Sequence, residues 1–414
     1  MDAPSAIARP EQVGLSAPRL DRIGTWMDRL VESGKLAGLS TLVFRRGEIA
    51  WQRSTGLANL ATGAAMADDT IVRIYSMTKP LTSAAIMALY EEGRFQLDDP
   101  ISRFLPCFAE MRVFTGGSRG KYDSTPAARD ITFRDLLTHT SGLTYGFMEA
   151  SQVDAMYRHG GVDFQTEEAS LQDVVARAAA MPLLFQPGSQ WSYSIATDVL
   201  GGLVEAISGQ PFEQFLHHRI IAPLGMTDTD FHVPAEKLPR FAANYAAGPA
   251  VAPTLPGKLT LIDDPATSRY ARPRQLCSGG GGLVSTAADY LRFCRMMLNR
   301  GELDGQRILG RKTVELMTAN HLGGDMADMG QARFSESSYL GIGFGLGFSV
   351  MLDPAKAQIL GSPGEYAWGG AASTAFWIDP AEDMAVIMLT QLMPSSTYPI
   401  RRELRVLAYQ AIVD

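Results

Sequence analysis

The segment Ile74-Tyr75-Ser76-Met77-Thr78-Lys79-Pro80 decides how this 414-residue chain is read. An alternating, strand-like region precedes it. Residues 81–92 after it read as a helix stopped by Gly93. Pro80 fits only in the first helical turn, where backbone N–H groups lack partners in any case. Ser76 therefore falls at the helix start and Lys79 about one turn later, and residues three apart share a helix face. A serine hydroxyl becomes a nucleophile when a base takes its proton. A lysine serves as that base when desolvation or a nearby positive charge weakens its hold on the proton. The helix N-terminus adds a positive partial charge and free N–H groups that suit an oxyanion. The alternative reading is an N-cap serine followed by a surface lysine, and the local pattern does not separate the two. A second Ser-x-x-Lys, Ser118 to Lys121, lies in the polar, Gly-rich run 113–130, which reads as a surface loop. Without a helix there, the shared-face argument fails.

The composition is that of a globular protein, with 46% apolar and 20% charged residues. Its length allows one or two domains. The net charge of −7 and the absence of a basic cluster argue against a nucleic-acid partner. The three cysteines, Cys107, Cys277 and Cys294, are far apart and odd in number, which argues against both a disulfide framework and a cysteine metal site. None of the six histidines stands at metal-ligand spacing from another on one helix face, so no metal is expected. No apolar run reaches the ~18 residues of a membrane span. The N-terminus lacks a basic stretch followed by an apolar core. The expectation is a cytoplasmic protein without a membrane partner.

Upstream of Ser76, Leu20, Ile23, Trp26, Met27 and Leu30 form a helical stripe, and residues 38–44 and 49–53 read as two strands joined at Arg45–Glu48. Downstream, Thr132 with Asp135 three residues on is an N-cap signal for a short helix that ends near Gly142. His139, inside Leu137-Thr138-His139-Thr140-Ser141-Gly142-Leu143, reads as a structural histidine bonded to backbone across a turn. Between 145 and 181, Met148, Met156, Tyr157 and Phe164 suit either an irregular apolar pocket wall or ordinary core. Gln186-Pro187-Gly188 turns the chain into Tyr193, just before a helix with Ile195, Val199, Leu203 and Ile207 on one face. A phenol there can exchange a proton with a nucleophile, or be a bonded core tyrosine. Residues 240–275 read as a long surface excursion. The glycine run 279–282 permits close backbone approach, and no Lys-Ser or Lys-Thr follows to make it a phosphate loop. Toward the C-terminus, residues 343–350 read as one strand and 372–378 with 384–389 as a hairpin. Trp368-Gly369-Gly370-Ala371 stands just before that hairpin, where two glycines let a ligand approach an N–H such as that of Ala371.

Taken in order, Ser76-x-x-Lys79, the Leu137–Leu143 segment, Tyr193 and Trp368-Gly369-Gly370 resemble the serine β-lactamase and penicillin-binding-protein superfamily. The resemblance spans roughly residues 10–412 and is strongest to the class C β-lactamase-like esterases (family VIII carboxylesterases) and related acyltransferases. It implies an α+β fold, in which an antiparallel sheet flanked by the terminal helices carries an inserted, mainly helical domain. Residues 1–75 and 285–414 would form the first part and 76–284 the second. It further implies Ser76 as the acylated nucleophile, Lys79 and Tyr193 as the proton-moving pair, and the N–H groups of Ser76 and Ala371 as the oxyanion hole. Trp368, Gly369, Gly370, Ile195, Tyr145 and Met148 would be the substrate contacts. The chain departs from the lactamase pattern at two places. Ile195 stands where Tyr-x-Asn has its asparagine, and Trp368 stands where Lys-Thr-Gly has its lysine. Both changes favour a neutral ester over a β-lactam. The implied activity is hydrolysis of small-molecule esters without a cofactor. A β-lactamase, a D-amino-acid peptidase, an acyltransferase, or a binding protein on the same fold are the alternatives.

Overall fold

The structure, a computed structural model, describes residues 7–163, 169–249, 257–330, 333–334 and 337–414. Phe164 and part of the 240–275 segment lie outside them. The first helix, α1 (Ala17–Glu32), buries Leu20, Ile23, Trp26, Met27 and Leu30, the stripe its sequence spacing calls for. Strands β1 (Gly38–Arg45) and β2 (Glu48–Asn59) follow, with β3 (Ala64–Ala65) beyond them. The C-terminal part supplies β4 (Ile342–Phe344), β5 (Ser349–Met351), β6 (Tyr366–Gly369), β7 (Ala375–Asp379) and β8 (Met384–Thr390). Among the described residues these eight form one antiparallel sheet in the order β4-β5-β6-β7-β8-β1-β2-β3. The two ends of the chain meet where β1 pairs with β8, Thr41 opposite Met388.

Both faces of this sheet are covered, so all eight residues of β1 are buried. Leu39, Val43, Trp377, Val386 and Met388 pack toward α1 and the C-terminal helix Ile400–Tyr409. Leu42, Phe44, Phe376, Ile378 and Ile387 pack on the opposite face, against the helical part of the chain. At the centre of that part lies α2 (Thr78–Glu91). Thr78 to Leu89 are all buried, as expected of a helix that carries no charge between Lys79 and Glu91. Glu92 and Gly93 close it, the latter at φ +70°. Helix α3 (Phe133–Leu137) begins with the capping box that Thr132 and Asp135 signal. Helix α4 (Ala196–Ser208) ends on Gly209 in the left-handed region. The described residues hold no helix long and apolar enough to cross a membrane.

Four local expectations change. Residues 113–130 contain a β-hairpin (Arg112–Ser118 with Lys121–Pro126). Its two-residue turn, Arg119-Gly120, has Gly120 at φ +88°. This is a hairpin signal in an otherwise polar run. The segment 343–350 is two short strands, because Gly347 at φ +100° turns the chain and the Gly345 N–H bonds the Phe348 carbonyl. The 240–275 excursion carries strands Asn244–Ala247 and Leu259–Asp263, which pair with each other and, through the first, with Leu392–Met393. Finally, Trp368 and Gly369 belong to a strand of their own, β6, with Trp368 opposite Phe376. Ala371 therefore sits in the tight turn Gly370–Thr374, closed by the Gly370 N–H on the Thr374 carbonyl.

Candidate active site

Ser76 lies in a single 3₁₀ turn, Tyr75–Met77, that runs into α2. Tyr75, at φ +42°, turns the chain sharply just before it. Ser76 is partly exposed, whereas Tyr75 and Met77 are buried. The turn is held from outside. The Ile74 N–H bonds the Leu283 carbonyl, the Tyr290 hydroxyl donates to the Met77 carbonyl, and Asn244 donates to the Tyr75 hydroxyl.

Three distant stretches converge on this serine. The Tyr193 hydroxyl donates to Ser76 Oγ at 2.6 Å. Lys79 Nζ stands 3.5 Å from Ser76 Oγ and donates to the Tyr145 hydroxyl at 3.0 Å and to the Gly280 carbonyl at 2.6 Å. It also sits 4.6 Å from the Tyr193 ring centre and 5.2 Å from that of Tyr145, within reach of both π-faces. The loop that carries Tyr193 is pinned by the Ser192 N–H on the His139 carbonyl and the Ile195 N–H on the Thr144 carbonyl.

Behind the lysine stands a residue that the sequence reading passed over. Asp198 in α4 is fully buried and accepts the Ser278 hydroxyl and the Gly280 N–H. An ideal Cβ on Gly280 would stand 2.3 Å from Asp198 Oδ2 and 2.8 Å from the Tyr145 oxygen. Only glycine leaves room there for the carboxylate, the phenol and the carbonyl that holds Lys79. The signal was in the sequence, an acid on the buried face of a helix five residues after Tyr193, but its partners come from a glycine run 80 positions away. Burial pushes the Asp198 carboxyl up, opposed by the Lys79 charge, the Ser278 hydroxyl and the Gly280 N–H. Burial, then the Asp198 and Tyr193 charges, push the Tyr145 phenol well up, which keeps it neutral. Burial and then the Lys79 charge push His139 well down.

The second wall is β6. Gly370 is necessary because a Cβ there would stand 2.3 Å from the Ile74 carbonyl oxygen. This close approach sets the Gly370–Thr374 turn beside the Ser76 turn. Ser76, Tyr193, Trp368, Gly369, Gly370 and Ala371 all line one cavity of about 800 Å³. Phe147, Met148, Tyr339 and Ile342 add apolar walls. The Trp368 ring packs 5.6 Å from Tyr193 and edge-on to Phe344 at 5.4 Å.

Some expectations need revision. Ile195 does not reach the cavity; it is fully buried in the core at the start of α4. Of the two readings open for Met156 and Tyr157, both residues take the core one. Tyr145 touches the cavity, but its hydroxyl serves Lys79. His139 is structural as expected, yet its ring bonds the Ser194 hydroxyl at 3.0 Å and packs 5.1 Å from Tyr193. It is the His139 carbonyl that bonds backbone across the turn. Ser118 and Lys121 are exposed hairpin residues. Among the described residues, no group of His, Cys, Asp and Glu side chains is arranged to hold a metal.

A sheet wrapped by terminal helices, with a serine, a lysine and a tyrosine meeting beside its strand β6, defines the serine β-lactamase class of folds. The chain belongs to the Beta-lactamase family, whose model matches residues 23–410. It is 38% identical to Protein Rv1367c of Mycobacterium tuberculosis, over 88% of each chain. It is 34% identical to Esterase EstB of Burkholderia gladioli, over 90% of each. Among solved structures it resembles EstCE1, "a hydrolase with promiscuous acyltransferase activity", with a TM-score of 0.79 at 25% identity, covering 95% of this chain and 99% of that one. Family and relatives together make it a hydrolase of the serine β-lactamase fold.

Proposed function

We propose that this protein is a serine carboxylesterase that acts on small or medium acyl esters through an acyl-enzyme on Ser76. The observation that carries the reading is the 2.6 Å contact between Tyr193 and Ser76, with Lys79 beside it, at the mouth of an apolar cavity. In acylation, Ser76 Oγ forms a bond to the ester carbonyl carbon and gives its proton to the Tyr193–Lys79 pair. The oxyanion rests on the N–H groups of Ser76 and Ala371. The bond to the alcohol then breaks, and the pair returns the proton to the departing alkoxide. Water repeats the sequence to free the acid. Trp368, Gly369, Gly370 and Met148 hold the substrate.

Two features favour an ester over a β-lactam. Trp368 replaces a lysine that would attract a substrate carboxylate, and the cavity walls are mostly apolar and aromatic. The name of EstB supports the same reading. Acyl transfer to a small alcohol in place of water is the second reading, favoured by the activity attributed to EstCE1.

The test is intact-protein mass spectrometry after exposure to p-nitrophenyl butyrate, with a cephalosporin in parallel. A transient butyryl adduct on the wild type, absent from Ser76→Ala, is expected, along with little turnover of the cephalosporin. A folded Ser76→Ala protein that keeps most of the ester hydrolysis overturns the proposal. Product analysis with added alcohol separates hydrolysis from transfer.

A further inference from the structure

We propose that Gln391 and Leu392 form a clamp that fixes the spacing of the oxyanion hole. The Gln391 side chain grips the backbone ahead of Ser76, and the Leu392 main chain grips the turn that carries Ala371. The inference rests on the acyl-enzyme reading above and adds the residues that position its two N–H donors.

Gln391 directly follows β8 and is buried. Its amide docks on Arg73, just ahead of the Ser76 turn, as a neighbouring strand would. The Arg73 N–H donates to Gln391 Oε1 at 3.2 Å, and Gln391 Nε2 donates to the Arg73 carbonyl at 3.0 Å. The amide's other partners are Arg73 Nη1, 3.3 Å from Oε1, and the Thr390 carbonyl, 2.7 Å from Nε2. A backbone N–H only donates and a carbonyl only accepts, so one orientation of the amide satisfies them all. Backbone groups alternate sides along a strand. Arg73 stands opposite Val284, and Ile74 turns its N–H to the Leu283 carbonyl on that side. Arg73 therefore turns its own N–H and carbonyl the other way, to Gln391. Its guanidinium bonds Asp263 and the Ala242 carbonyl, each at 2.6 Å, which makes it a firm anchor.

Leu392, the next residue, holds the other half of the hole. Its N–H donates to the Ala372 carbonyl at 3.1 Å, and its carbonyl accepts the Ser373 hydroxyl at 2.7 Å. Both partners belong to the Gly370–Thr374 turn, where buried Ser373 is held at φ +66°. A residue with a side chain keeps that conformation only under restraint. The two donors of the hole thus hang from adjacent residues of one segment. The packing of Gly370 on the Ile74 carbonyl sets only the closest approach of the two turns. The bonds of Gln391 and Leu392 keep them from parting, which contact alone does not do. An oxyanion donor is effective only at about 2.7–3.1 Å, so a small drift is felt. Neither Gln391 nor Leu392 lines the cavity, and Gln391 is therefore a positioning residue.

The test compares the wild type, Gln391→Met and Ser373→Ala in the full chain, below their melting temperatures. It reads kcat/KM on p-nitrophenyl butyrate and the inhibition constant of propyl trifluoromethyl ketone. Ser76 Oγ adds to the ketone carbon, the carbonyl π pair becomes the oxyanion, and the serine proton passes to the Tyr193–Lys79 pair. The ketone therefore reads the hole directly. Gln391→Met keeps the length of the side chain and removes both bonds to the Arg73 backbone. A loss of at least about tenfold in kcat/KM, matched by the same factor in ketone affinity, is expected. A role in stability alone would lower the melting temperature and leave both values unchanged, and that result overturns the proposal. So does a fall in kcat/KM with ketone affinity intact. Should Gln391→Met not fold, Ser373→Ala is expected to show the paired loss severalfold, and its absence overturns the clamp. Where both fold, the double variant is expected to lose less than the product of the single losses, because either change opens the same gap, and a full product overturns it. If the wild type neither hydrolyses the ester nor binds the ketone, the esterase reading fails, and hydrogen exchange in Gln391→Met judges the clamp. Faster exchange in residues 71–77 and 366–374 together supports it, and faster exchange confined to one of them overturns it.

Discussion

Gly370 shows how little space separates chemistry from collapse at this site. A methyl group there meets the Ile74 carbonyl and the Thr374 hydroxyl, each at 2.3 Å. Gly370→Ala therefore has to push β6 away from the Ser76 turn. A kcat at least about tenfold lower is expected, because misplacement by an ångström costs one to two orders of magnitude. Steady-state kinetics with a melting curve would check it, and unchanged kcat would mean that the two turns are not coupled. Tyr193 calls for a milder change. Tyr193→Phe keeps the ring packed at a tilt among His139, Tyr145 and Trp368 and removes only the oxygen. A loss of about 10²–10⁴ in kcat with a near-native melting temperature is the expected outcome. Tyr75 adds a third residue-scale feature. A non-glycine residue at positive φ just before Ser76 is strained, and the neighbours that bond its hydroxyl and the flanking backbone hold it there.

Among the elements, the C-terminal helix Ile400–Tyr409 has an effect beyond the packing of its buried face. Its Arg401 donates to the carbonyls of Gly370 and Thr374, the two ends of the turn that presents the Ala371 N–H. Arg401→Ala should loosen that turn. A lower kcat with KM little changed is expected on a neutral ester, and the reverse pattern would place Arg401 in substrate binding instead. A different helix answers to pH. Asp289, in the first turn of the helix Ala287–Leu298, accepts the Asp228 N–H at 2.7 Å and the Thr229 hydroxyl at 2.9 Å. Burial, with the Asp228 charge adding to it, raises its carboxyl to about 6. A raised carboxyl binds its proton more tightly folded than unfolded, so the folded state loses stability as pH rises from about 4 through 6. Asp289→Asn escapes this loss. Its stability relative to wild type should grow by up to about 3 kcal/mol between pH 4 and pH 8, measured by urea unfolding at both. A difference that stays constant with pH would count against the assignment.

At the scale of the molecule, the ends of the chain are tied at Arg45. This buried guanidinium pairs with Glu382 and Asp414, both at 2.8 Å, and donates to the carbonyls of Val13 and Gly14. It thus links the N-terminal segment, the β7–β8 turn and the C-terminus on the side of the sheet away from Ser76. Arg45→Leu should lower the melting temperature by several degrees, about 2–4 °C per kcal/mol lost. Labelling of Ser76 by a covalent serine probe at 25 °C should be unchanged. Loss of labelling in a folded variant would show that the two sides of the sheet are not independent.

Much of this architecture was legible in the order of residues. The apolar stripe of α1, the uncharged run of α2, the capping box at Thr132 and the Pro-Gly turn before Tyr193 are local signals with short-range causes. Ser76 and Lys79 are three residues apart, so their proximity is also local. The polar hairpin at 112–126 was missed because Val113 is the one buried residue in its two strands, which leaves no alternation to read. Ile195 was misplaced for the opposite reason. Its motif position points to the cavity, but the first turn of α4 points its side chain into the core. The chain by itself therefore determined the juxtaposition of Ser76 and Lys79 and the class of fold, through spacing that a helix or a turn converts directly into geometry. Only the tertiary structure decided what surrounds the lysine. Tyr145, Gly280 and Asp198 are brought together by glycine-permitted backbone approaches across tens to hundreds of residues, and no local periodicity encodes such contacts.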